Sequence, residues 1–139
     1  MPLDKLLVRR KSALILEDMK DVERLAPLAR SAFLADRAQQ LMAERLLERV
    51  IGRMIDINYH IVTEREGAPP RDFYQSFTKL ADLGVLSREL ADALAPAAGL
   101  RNRLAHEYNE IDQGKIYEAL GEALSNVPRF LEAVEAALG

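Results

Sequence analysis

Residues 33–65 read FLADRAQQLMAERLLERVIGRMIDINYHIVTER. Within them Leu34, Leu41, Leu46, Val50, Met54, Ile57 and Ile61 recur at spacings of three, four, five or seven residues. That period lays an apolar stripe along one side of a helix, and no alternating β-branched run competes with it. A long helix with a buried stripe needs other helices to cover it, so this stretch decides for an all-α fold. The same stretch carries Arg45, Arg49 and Arg53 every four residues, a basic ridge on the helix surface. The ridge is either a solvated face paired with Glu44, Glu48 and Asp56, the reading slightly favoured, or a track for an RNA backbone.

The flanking segments read the same way. Leu3 to about Leu28 forms a first helix, with Leu7, Leu14, Met19, Val22 and Leu25 among its apolar positions. The run Gly67-Ala68-Pro69-Pro70 stops the long helix and turns the chain. Asp72 caps a third helix through Leu83, Gly84 ends it, and Ser87 caps a fourth. Pro96 and Gly99 are expected to kink or break that fourth region before Leu100, and Asn109 and Glu110 lie near its end. Asp112 caps a last helix towards Leu138, with a possible bend at Pro128. Five helices on short loops predict an antiparallel bundle over residues 1–139, with no second domain.

The composition narrows the function classes. The chain has 139 residues, is 49% hydrophobic and 29% charged, and has no cysteine. Disulfides and thiolate metal sites are therefore excluded, and a reducing, cytoplasmic setting fits. No apolar stretch approaches a membrane span. A net charge of −3 argues against broad nonspecific nucleic-acid binding, so any RNA contact is expected to be local. The two histidines, His60 and His106, lie far apart with no HExxH around them, so no metal site and no cofactor are expected. His60, beside Tyr59, reads as structural.

The remaining chemistry sits in Arg101-Asn102-Arg103-Leu104-Ala105-His106-Glu107-Tyr108, the pattern R-x4-H-x-Y with a polar residue after the arginine. Together with the stretches Pro70 to Phe77, Leu80 to Leu86, Ile111-Asp112 and Ile116 to Leu120, it resembles the HepT-like toxins, a branch of the HEPN superfamily of helical ribonucleases. The likeness covers roughly residues 3 to 138. It implies a metal-independent endoribonuclease, the toxin of a type VII (HepT–MntA) toxin–antitoxin pair, acting as a homodimer.

The residue types suit that chemistry. His106 titrates near neutrality and can exchange a proton with an RNA 2′-hydroxyl or leaving oxygen. Arg101 stays cationic and can hold the scissile phosphate. Asn102, four residues before His106 and on its helical face, can orient the imidazole or the phosphate. Arg101 and His106 point about 140° apart on a regular helix, which favours a cleft between two copies. Arg103 lies on another face, as a solvated charge or a phosphate contact. The resemblance further makes Tyr108 the residue that an MntA-type nucleotidyltransferase antitoxin modifies with AMP. An alternative is a noncatalytic helical module that partners a nucleotidyltransferase.

Overall fold

The computed structural model describes residues 3–106 and 111–139, and among these it contains seven helical segments. They are α1 (Lys5–Leu25), α2 (Arg30–Leu34), α3 (Arg37–Glu66), α4 (Phe73–Asp82), α5 (Arg88–Leu94), α6 (Ala97–His106) and α7 (Gln113–Leu138). Two breaks turn the expected five helices into seven. The first falls at Ala35-Asp36. The Asp36 side chain accepts from the Gln39 backbone N–H at 3.1 Å and starts α3 four residues later than the periodicity suggests. The Gln40 amide donates back to the Phe33 and Leu34 carbonyls at 3.0 and 3.1 Å, so α2 ends with its carbonyls satisfied. The second break is at Pro96. Gly99, expected to share in it, lies inside α6 instead.

Bonds between helices fix their directions. The Asp4 backbone N–H donates to His60 Nε2 at 3.0 Å, Lys11 pairs with Asp56 at 3.1 Å, and Arg53 pairs with Asp18 at 2.8 Å. Numbers rise along α1 as they fall along α3, so the two are antiparallel. His60 is structural, as expected: it anchors the start of α1. At the other end Tyr117 Oη donates to the Leu28 carbonyl at 2.6 Å and Gln113 donates to Glu44 at 3.0 Å. Arg9 pairs with Glu135 at 2.9 Å, which sets α7 antiparallel to α1 and parallel to α3.

One apolar cluster draws on all seven segments. Helix α3 is its axis. It packs against α1, α4, α6 and α7, so it buries adjacent pairs such as Leu46-Leu47, Val50-Ile51, Met54-Ile55 and Ile61-Val62. The single stripe read from the sequence is correct for Leu46, Val50, Met54, Ile57 and Ile61. It fails for Leu34, 43% exposed, because the break at Asp36 resets the helical phase, and for Leu41, 50% exposed, because it stands five residues before Leu46 and so points about 140° away on the same helix. The capping expectations hold: Asp72, Ser87 and Asp112 each accept backbone N–H groups at the starts of α4, α5 and α7. Gly67 takes the left-handed conformation (φ 77°) that ends α3. No helix among the described residues is long and apolar enough to cross a membrane.

Tyr117 tests the α7 contact. Replacing it with Phe leaves the ring in place and orphans the Leu28 carbonyl. We expect a loss of about 1 kcal/mol in urea unfolding; an unchanged midpoint would mean that water replaces the bond.

Candidate functional site

Helix α6 carries Arg101, Asn102, Arg103 and His106, and Pro96 sets where it begins. Pro96 has no N–H to continue α5, while its carbonyl accepts from Gly99 and Leu100 at 3.1 and 3.4 Å and opens the new helix. Ala98 and Leu104 are buried and hold α6 to the core. That orientation leaves Arg101 half-buried and Asn102, Arg103 and His106 exposed.

The Arg101 guanidinium lies over the Phe73 ring, 5.3 Å from its centroid. Phe73 is itself held from three sides. Its ring meets Tyr59 edge-on at 5.9 Å. Its carbonyl accepts from Ser76 Oγ at 2.6 Å, and Ser76 Oγ accepts from the buried Asn58 amide at 3.1 Å. Asp72 caps α4 directly before it, accepting from the Gln75 N–H at 2.7 Å. Among the described residues no carboxylate lies within ion-pair distance of Arg101. A cation on an aromatic platform, unpaired with any carboxylate among the described residues, is suited to an anion.

The Gln75 backbone bond holds the Asp72 carboxyl below the usual carboxylate range. Its contribution is therefore present above the unfolded value and drains away as pH falls through the lowered folded one. An Asp72→Asn variant caps without the charge and should lose stability less steeply in acid; parallel acid titrations would refute the assignment.

Arg101 opens onto a depression of about 370 Å³ that it shares with Phe73, with Arg45, Arg49 and Arg53 of α3, and with Lys11 of α1. The structure thus gathers the basic ridge and Arg101 into one place. The expected pairing of the ridge holds only in part. Arg45 does pair with Glu48 at 3.0 Å, but Glu44 binds Gln113 and Asp56 binds Lys11. Arg49 Nε and Arg53 Nη1 both bind Asp18 Oδ2, at 3.0 and 2.8 Å. Asp18 is only 6% exposed.

Other site residues stay apart within one chain. His106 ends the described part of α6 and does not line the depression. With α6 helical across both residues, Arg101 and His106 diverge as expected. Arg103 lines a separate cavity of about 200 Å³ between α3, α6 and α7, together with Lys115 and Glu118. Tyr108, Asn109 and Glu110 lie outside the described residues. Sequence reasoning missed Phe73 and Asp18 as parts of the site; the Arg9-Arg10-Lys11 cluster carried the same two readings as the ridge, and its Lys11 lines the depression. Asp18 did leave a signal, since it interrupts the apolar series Ile15, Met19, Val22 on one face of α1, and a buried carboxylate needs partners.

Comparison with known proteins gives a family and several relatives. The family described as Ribonuclease HepT-like matches residues 15–134. The tRNA nuclease HepT of Aphanizomenon flos-aquae is 29% identical over 136 residues, 98% of this chain and 92% of that protein. The mRNA nuclease HepT of Shewanella oneidensis is 29% identical over 90 residues, 65% of this chain and 68% of that one. Among solved structures, the tri-AMPylated Shewanella oneidensis HEPN toxin in complex with MNT antitoxin superposes with a TM-score of 0.82 at 26% identity. The match covers 94% of this chain and 97% of that one.

Proposed function

Because the chain belongs to the ribonuclease HepT-like family, we propose that it is a metal-independent endoribonuclease, the cytoplasmic toxin of a HepT–MntA type toxin–antitoxin pair. The observation that carries this reading is Arg101, a guanidinium set on Phe73, lining a basic depression and without a carboxylate partner among the described residues. In the reaction an RNA 2′-hydroxyl attacks the adjacent phosphorus and the 5′-oxygen leaves, so the product strand ends in a cyclic phosphate. Arg101 holds the phosphate oxygens as charge builds on them. His106 takes the 2′-hydroxyl proton or returns one to the leaving oxygen. Asn102, four residues before His106, orients the imidazole or the phosphate.

Arg101 and His106 diverge on one helix, so the working site is a cleft between two copies that gathers two arginines and two histidines. A protein that keeps full specific activity when diluted to a monomer would overturn the dimer.

Control lies with a second protein. The Shewanella oneidensis relative is described as AMPylated and bound to an MNT antitoxin, and we assign the same modification here to Tyr108. Its phenol oxygen attacks the α-phosphorus of ATP, pyrophosphate leaves, and the added AMP puts bulk and negative charge two residues from His106. An intact mass that stays unchanged after incubation with the partner and ATP would refute this.

The deciding experiment is cleavage of RNA by the purified chain in EDTA. Cleavage supports a metal-independent nuclease. With the protein folded and Tyr108 shown free by mass, no cleavage would favour a noncatalytic partner of a nucleotidyltransferase.

A further inference from the structure

The basic depression has a construction that a solvated ridge does not need. Arg49 and Arg53 extend from successive turns of α3 and converge on one oxygen of Asp18, a nearly buried carboxylate from α1. A guanidinium has five N–H donors. Asp18 takes one nitrogen of each arginine, so both side chains are fixed in direction while no other hydrogen bond among the described residues occupies their remaining donors. Two cations share one anion, and the trio keeps a positive charge. Arg45 continues the row, Lys11 lines it from α1, and Arg101 lines it from α6. Phosphates of a single strand repeat along the chain as these cations repeat along α3, whereas a single small anion would use only one or two of them.

We propose that this face of α3 is the track that binds substrate phosphates next to the one held by Arg101, with Asp18 as the positioning residue that aims Arg49 and Arg53. The proposal rests on the ribonuclease reading and adds to it where the strand runs. It also answers how an acidic protein attracts RNA: the positive charge is concentrated in one depression lined by five cations and two carboxylates, Glu48 and Asp56.

The test measures binding of a labelled single-stranded RNA of about 12 nucleotides across a salt series. All variants carry His106→Ala, so the RNA stays intact. Each phosphate contact on a single strand contributes roughly 0.7 to the salt slope. Replacing Arg45, Arg49 and Arg53 with Gln should lower the slope by roughly 2 and weaken binding at least about tenfold at low salt. Arg24→Gln and Arg129→Gln, on exposed pairs elsewhere, should leave the slope unchanged.

Asp18→Asn separates aim from charge. The variant gains positive charge beside the track, so if the arginines supply charge alone RNA binds more tightly. If Asp18 aims them, RNA binds more weakly despite the gain. An Arg49→Lys/Arg53→Lys pair keeps the charge and loses the geometry, and should weaken binding with the slope retained; it covers the case in which Asp18→Asn does not fold.

An unchanged slope in the triple variant would overturn the track, even if that variant loses the nucleotidyltransferase partner, since the face would then be a protein-docking surface. Tighter or equal binding by folded Asp18→Asn would overturn the positioning role. A folded wild-type chain, with Tyr108 shown free by mass, that cuts nothing in EDTA while the triple variant loses slope would refute the metal-independent nuclease reading and leave the track standing.

Discussion

Replacing His106 with alanine is expected to lower RNA cleavage by roughly 10²–10⁴-fold, the range that a positioned general acid or base contributes. The side chain is exposed at the end of α6, and no hydrogen bond or ion pair ties it to another residue among those described. Its loss should therefore leave the unfolding midpoint within experimental scatter. That separation makes the result readable, because a drop in rate cannot be blamed on misfolding. Binding of intact RNA should also survive if, as proposed, Arg101 and the α3 cations hold the strand. Cleavage should fall through kcat, with KM little changed. A His106→Ala protein that cuts RNA within about threefold of the wild type would remove the imidazole from the mechanism.

The largest effect on stability is expected at Phe77. Its ring is fully buried on α4 and meets Phe130 of α7 edge-on, with centroids 6.3 Å apart. Phe77→Ala should cost about 3–5 kcal/mol, the sum of lost transfer energy and the cavity left behind. Domains of this size are stable by about 5–15 kcal/mol in total, so the variant would approach the unfolding threshold at 37 °C. Activity should follow stability here. Phe77 lies one turn after Phe73, and if α4 loosens, the platform under Arg101 moves with it. Urea unfolding gives the number directly. A loss under about 1 kcal/mol would mean that the neighbouring side chains close the cavity.

Much of the fold was legible before the structure. Helix caps are local chemistry: Asp72, Ser87 and Asp112 satisfy N–H groups two or three residues away, so a short window of sequence predicts them. The break at Asp36 was local too, but the apolar period on both sides concealed it. Gly99 was misread for the opposite reason. A glycine is a weak helix former, but packing of Ala98 and Leu104 against the core holds α6 together around it.

The site divides in the same way. Arg101, Asn102 and His106 stand in one short run, and their residue types alone state the chemistry they can perform. The divergence of Arg101 and His106 follows from helical geometry, so even the argument for a second copy was available from spacing. What surrounds Arg101 was not. Phe73 lies 28 positions away in the chain, and Asp18 meets Arg49 and Arg53 across separations of 31 and 35 residues. Period and propensity act over a few residues, so the sequence by itself determined an all-α bundle, its helix starts and the reactive groups on α6. Which side chains share a depression depends on how α1, α3, α4 and α6 dock. That is settled by burial of their apolar faces, and only the tertiary structure brings the buried carboxylate, the basic ridge and the aromatic platform around one arginine.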